Sequence, residues 1–234
     1  MFMDIEKVKS LVFELLGNDE TGHGIDHIKR VLRLSLNFAD IENADKALVT
    51  LIALLHDVDD YKLFGMENAK ELVNAKKIMN DCEIDEDIQE KVCESIKCIG
   101  YSKRLKGISP NTIEGCVVAD ADMCDALGAS GIIRTLEYGK SHGRVFFDPE
   151  VIPIDDINAD SYIGRNADTG VCHMFEKILR LRGMMLTSAG MDEASRRHQF
   201  NIDFLYQLFD EEDCPDWKEY LDNYLEKNKI KCKK

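Results

Sequence analysis

His56-Asp57-Val58-Asp59-Asp60 ends the most apolar stretch of the chain, Ala47, Leu48, Val49, Leu51, Ile52, Ala53, Leu54 and Leu55. Apolar residues almost all round mark a helix buried at the centre of a fold. The C-terminus of a helix carries partial negative charge, so histidine suits this position and three aspartates do not. Burial makes unpaired acids more costly still. A bound cation would resolve the conflict by turning the acids into ligands and neighbours. The alternative is that the chain turns outward here and water solvates them; the local pattern leaves both open.

Two further positions could join a metal site. Asp122 has Val118, Ala119 and Ala126 as helical neighbours, an apolar face on which aspartate is rare unless paired or ligated. Asp120 and Asp125 share that helix, and spacing does not decide which acid faces inward. His27 follows Gly22, His23, Gly24 and Asp26 near a helix start and shares a stripe with Val31 and Leu34. Taken singly, such a histidine is more often a satisfied core residue than a ligand.

The elements that must position these residues are helical. Apolar residues recur at helical spacing over 4–16, 25–38, 44–57, 66–81 and 85–99. Ser109-Pro110 predicts the next helix start, with Asn111 and Glu114 as a capping box, and that helix runs through Ala126. Helices follow over 129–139, 169–187, 190–211 and 215–227. Residues 140–165, with Gly143, Pro149 and Pro153, have no period and form a long loop, expected to be functional or mobile. The fold class is all-α: a single compact helical bundle over 1–234 with additional C-terminal helices. The Lys-rich tail 227–234 is expected to be disordered.

Composition narrows the function. A net charge of −14 over 234 residues argues against stable nucleic-acid binding or an anionic membrane as partner. It does not exclude small anionic substrates, because a bound divalent cation reverses the local field. No stretch reaches the roughly 18 apolar residues of a membrane span, and Met1 to Gly17 lacks a signal-peptide pattern, so the cytoplasm is the expected location. The eight cysteines, at 82, 93, 98, 116, 124, 172, 214 and 232, form no C-x-x-C pair and are assigned no role.

Read together, the motifs resemble the HD phosphohydrolase superfamily. They are Asp26-His27-Ile28-Lys29-Arg30-Val31, Ala53-Leu54-Leu55-His56-Asp57-Val58-Asp59-Asp60-Tyr61-Lys62, Glu114 to Asp122, and Gly128-Ala129 to Arg134-Thr135. With His173 to Met185 and Arg197-His198-Gln199-Phe200, the resemblance covers most of residues 20–210. The nearest subgroup is the small stand-alone bacterial HD hydrolases, some of which cleave nucleoside triphosphates to monophosphate and pyrophosphate. The resemblance implies an HD-domain bundle and one divalent cation held by His27, His56, Asp57 and Asp122, with Cys124 in place of the family's usual leucine. Two imidazoles and two carboxylates suit Mn, Co, Ni or Fe(II) and tolerate Mg. No histidine lies between Asp57 and Asp122, the interval from which two-metal relatives draw extra ligands, so a single metal is expected.

The implied chemistry is attack of a metal-activated water on phosphorus. Asp60, one turn after Asp57, is the candidate general base, against the reading of a solvated helix-end acid. Lys62 could hold a phosphate or be an ordinary surface lysine, and His23 could protonate the leaving oxygen or contact substrate. Arg134 could bind phosphate or pair with an acid such as Asp125, while Arg30 is expected to order Asp26 or the helix packing. His142 and its loop could form a lid, or His142 could be an ordinary solvated histidine. The favoured substrate is a nucleotide. The alternatives are a phosphomonoesterase or phosphodiesterase acting on another small phosphate ester, and a metal-binding sensor with little turnover. The residues leave the oligomeric state open, a homodimer included.

Overall fold

The apolar run before His56 forms the most deeply buried helix of the N-terminal part of the protein. In a computed structural model, which describes residues 4–17, 24–154 and 168–229, Asp45 caps this helix by accepting the N–H groups of Ala47 and Leu48. Helices α1 (Ile5–Leu16), α2 (Ile25–Glu42) and α3 (Lys46–Leu55) come first. They are followed by α4 (Tyr61–Glu71), α5 (Val73–Asp81), α6 (Glu86–Lys97), α7 (Tyr101–Leu105) and α8 (Ile113–Asp125). Val49 and Leu51 through Leu55 on α3 are all fully buried, and α3 packs against α1, α2, α6 and α8. On α2 the buried residues His27, Ile28, Val31, Ser35, Phe38 and Ala39 make the inward stripe. Every regular element among the described residues is helical, so the fold is all-α. No helix among them is long and apolar enough to cross a membrane.

The chain divides into two compact units, the first comprising residues up to Asp125 together with Leu186–Gly190. That short second piece is tied to α8 by a buried acid. Asp120 accepts the N–H groups of Leu186 and Thr187 and the Thr187 hydroxyl at 2.7–3.0 Å. Glu42 likewise accepts the Ser188 hydroxyl and the Ala189 N–H, both at 2.7 Å. Gly190 permits the approach, because a Cβ there would lie 2.2 Å from an Asp120 oxygen. Asp120 is thereby committed to structure.

Several element boundaries differ from the sequence expectation. The helix expected over 66–81 is two helices, broken at Leu72, whose φ is 54°, and preceded by a kink at Gly65 with φ 85°. The cap of α8 is Thr112, whose hydroxyl accepts the Gly115 N–H at 3.1 Å. Glu114 does not close a capping box; it reaches across to the Asp45 N–H instead.

The second unit holds α9 (Gly128–Ser141), α10 (Gly170–Glu176), a 3₁₀ segment Ile178–Met184, α11 (Ser188–Glu211) from Met191 onward, and α12 (Pro215–Lys229). The helix expected over 169–187 is therefore a short α-helix followed by 3₁₀ turns. Phe147, Phe175, Phe209, Trp217 and Tyr224 form an aromatic core here. The described part of the expected loop, 142–154, is pinned to that core. Val171 N–H bonds Phe146 O, the Trp217 indole bonds Pro149 O, and Ile154 N–H bonds Glu176. Residues 155–167 of the loop, His23, and positions 230–234 of the Lys-rich tail lie outside the described residues.

Candidate active site

Three mutually packed helices bring the four expected ligands together. His27 sits in the first turn of α2, His56 caps the C-terminus of α3 with Asp57 next to it, and Asp122 lies in the last turn of α8. His27 Nε2 lies 3.2 Å from His56 Nε2, 3.3 Å from Asp57 Oδ2 and 3.6 Å from Asp122 Oδ1. His56 Nε2 is 3.6 Å from Asp57 Oδ2 and 4.0 Å from Asp122 Oδ1. The imidazoles are buried, and the carboxylates are partly open to solvent at 15% and 24% side-chain exposure.

The other ring nitrogens fix the tautomers. His56 Nδ1 donates at 2.8 Å to Ala53 O, a carbonyl that only accepts, so the proton is on Nδ1 and Nε2 presents a lone pair. His27 Nδ1 donates at 2.8 Å to an Asp125 carboxylate that is itself clamped by Arg30 through Nε and a terminal nitrogen. Two Nε2 lone pairs therefore face each other at 3.2 Å beside two carboxylates, an arrangement that repels itself without a cation. Atoms bound to one ion at about 2.1 Å and separated by about 90–110° lie about 3–3.5 Å apart, close to the separations seen here. The donor set fits a divalent metal.

Residues 24–127 match the family model of the HD domain. An HD-superfamily hydrolase of known structure from Bacillus thuringiensis is 31% identical, with 89% of this chain and 96% of that one covered and a TM-score of 0.69. The chain belongs to the HD superfamily. A Lactobacillus plantarum protein of known structure is similar at 29% identity, covering 90% of this chain and 98% of its own, with a TM-score of 0.77. Bacillus subtilis YpgQ, crystallised in complex with ADP, is 28% identical over 88% of this chain and 94% of its own, with a TM-score of 0.67. HD-superfamily membership makes this protein a metal-dependent phosphohydrolase.

The other residues that the sequence offers as site candidates fall in several places. Asp60 caps α4, accepting the Lys62 N–H on Oδ1 at 2.9 Å. Lys62 is exposed, with Nζ 6.0 Å from the Tyr61 ring centre. Arg134 is half-buried on α9 in the second unit. Asp59 is buried at 4% exposure and accepts the N–H groups of Asn74 and Ala75 at 2.8 and 2.9 Å. Burial pushes its carboxyl pKa up, and those two amides pull it back. Burial likewise raises Asp120 to about 6, against the hydrogen bonds from Thr187 and Leu186 and the charge of Arg104.

The sequence reading missed the partner of His27. Arg30 was expected to order Asp26 or the helix packing, and Asp125 was named only as one acid that Arg134 could pair with. Asp26 instead pairs with Lys29, and Arg30 grips Asp125. The signal was present in the spacing. Arg30 stands three residues after His27 and Asp125 three after Asp122, so each helix carries on one face an expected ligand and one member of the Arg30–Asp125 pair that holds His27.

Proposed function

We propose that the protein hydrolyses nucleoside triphosphates to monophosphate and pyrophosphate, using one divalent ion held by His27, His56, Asp57 and Asp122. The facing Nε2 lone pairs beside two carboxylates carry the metal half of this reading. The complex of its relative YpgQ with ADP supports a nucleotide as substrate. Mn, Co, Ni and Fe(II) match the mixed nitrogen and oxygen donors, and Mg is tolerated. When bound, such an ion supplies positive charge to the phosphoryl oxygens and makes a water more acidic.

The protein's own groups do the rest. Water attacks the α-phosphorus, and the bond from that phosphorus to the α–β bridging oxygen breaks, its electron pair leaving with pyrophosphate. Asp60 takes the water's proton on Oδ2 while Oδ1 keeps the Lys62 N–H, so the base is held by the helix it caps. The Lys62 ammonium, two residues on, supplies a positive charge for a phosphate of the substrate. Asp125 and Arg30 keep the His27 ring in the tautomer that leaves Nε2 bare.

Purified protein incubated with Mn or Mg and separate nucleoside triphosphates, monophosphates and model diesters tests the reading. Pyrophosphate released with a monophosphate is the expected result. Orthophosphate from monophosphates, or cleavage of diesters alone, would move the activity to another phosphate ester. Metal binding without turnover on any substrate would make the site a sensor. Asp57→Ala is expected to lose both metal and activity with its helix content intact.

A further inference from the structure

The turn that carries His56 and Asp57 is held firmly on one side only by its own helix. Before it, α3 is wholly buried and Ala53 fixes the His56 ring. After it comes α4, in which no residue is fully buried and Tyr61 and Met66 are widely exposed at 52% and 73%. A helix with so little packing cannot hold the downstream end of a ligand turn. The hold comes from farther along the chain. Asp59 directs both carboxylate oxygens at the first turn of α5, Oδ1 to the Asn74 N–H and Oδ2 to the Ala75 N–H. Asn74 returns the contact, its Nδ2 donating to Val58 O at 2.8 Å. The residue at the N-cap of α5, Leu72, has no side-chain oxygen to offer, so Asp59 caps that helix from fifteen positions upstream of Asn74. Three hydrogen bonds thus close residues 60–72 into an excursion whose base is fixed while its helix stays loosely packed.

We infer that Asp59 is a positioning residue for the metal ligands: with Asn74 it clamps the turn 56–60 to α5, so that Asp57 keeps its place regardless of what α4 does. The inference rests on the metal-site reading above. Carboxylates that support a ligand from behind typically alter metal affinity by ten- to a hundred-fold when removed. Here the support reaches the ligand through two residues of backbone.

Calorimetric titration of the full chain with Mn, alongside its thermal melting, tests this. Asp59→Asn sets an amide NH₂ against one of the α5 N–H donors and breaks half the clamp. It is expected to weaken Mn binding about ten-fold or more and to raise the Mn concentration that half-activates hydrolysis, with kcat largely recovered at saturating Mn. Ala75→Gly, which destabilises α5 but keeps the N–H that Asp59 accepts, is expected to lower the melting temperature and leave Mn affinity unchanged. Asn74→Ala, the milder cut, should weaken Mn binding several-fold and serves if Asp59→Asn does not fold. Unaltered Mn affinity in both clamp variants would overturn the inference and leave Asp59 a cap for α5 alone. Loss of affinity in Ala75→Gly equal to that in Asp59→Asn would overturn it too. Wild-type protein that binds no Mn would sink the site reading and this inference together.

Discussion

At His27 the two ring nitrogens face opposite demands. Nε2 needs its lone pair for the site, and Nδ1 needs an acceptor that keeps the proton away from Nε2; Asp125 is that acceptor, and Arg30 neutralises the buried charge it would otherwise add. Asp125→Asn can present an NH₂ to the ring and favour the wrong tautomer, so Mn affinity is expected to fall about ten- to a hundred-fold. Asp60→Asn separates the other role. The amide still caps α4, so Mn affinity should hold while turnover drops by about 10²–10⁴. Calorimetry and initial rates on the two variants distinguish a supporter from a base; a large Mn loss in Asp60→Asn would make Asp60 a ligand instead. Residue types at His56 and Asp57 were readable because their electrostatic conflict is local. Ranking the acids of α8 was not. Asp122, singled out by the family resemblance and supported by its apolar face, is the most open of the three, whereas Asp120 and Asp125 are each 1% exposed and fully engaged. Their partners lie between 66 and 98 positions away, beyond the reach of periodicity.

Helices α2 and α3 were legible in the chain because each has a long stripe or a fully apolar run, and α8 because Ser109-Pro110 marks a start just before it. The break between α4 and α5 was not. Leu72 adopts a left-handed conformation that its side chain does not favour, and what draws the chain there is the distant Asp59 gathering the first N–H groups of α5. The start of α8 falls at Thr112, beyond the Ser109-Pro110 signal, because its hydroxyl takes the Gly115 N–H. On α11 a half-buried histidine sets a pH response. Burial, with the Arg182 charge added, pushes the His198 pKa down to about 4, and its Nδ1 is buried without a hydrogen-bond partner among the described residues. In the unfolded chain the same ring titrates near 6.5. Between those values the unfolded state binds the extra proton, so stability is complete above pH 6.5 and drains away as pH falls toward 4. Chemical denaturation of wild type and His198→Gln at pH 7, 5.5 and 4.5 should show the wild type losing more stability on acidification. Parallel losses in the two proteins would mean that His198 titrates normally.

Across the whole molecule, a formal charge of −14 surrounds a site expected to accept a polyanion, so the cation is the feature that makes the chemistry compatible with the chain. All four donors belong to the first compact unit, on helices separated by long stretches of sequence. An ion binding them has little affinity for the unfolded chain, where His27 and Asp122 are far apart along a flexible polymer. It should therefore stabilise the native state by mass action, about 2.7 kcal/mol at a hundred times its dissociation constant. Removing metal with a chelator is expected to lower the melting temperature, and titrating Mn back should raise it with the logarithm of free Mn. Hydrogen exchange locates the effect. Chelation should speed exchange most in α2, α3 and α8, which carry or adjoin the donors, because lone pairs and carboxylates left facing one another repel. Exchange in α12, which carries none of the four, should change least. A melting temperature indifferent to chelator and Mn, or an exchange response spread evenly along the chain, would mean that these side chains hold one another without an ion.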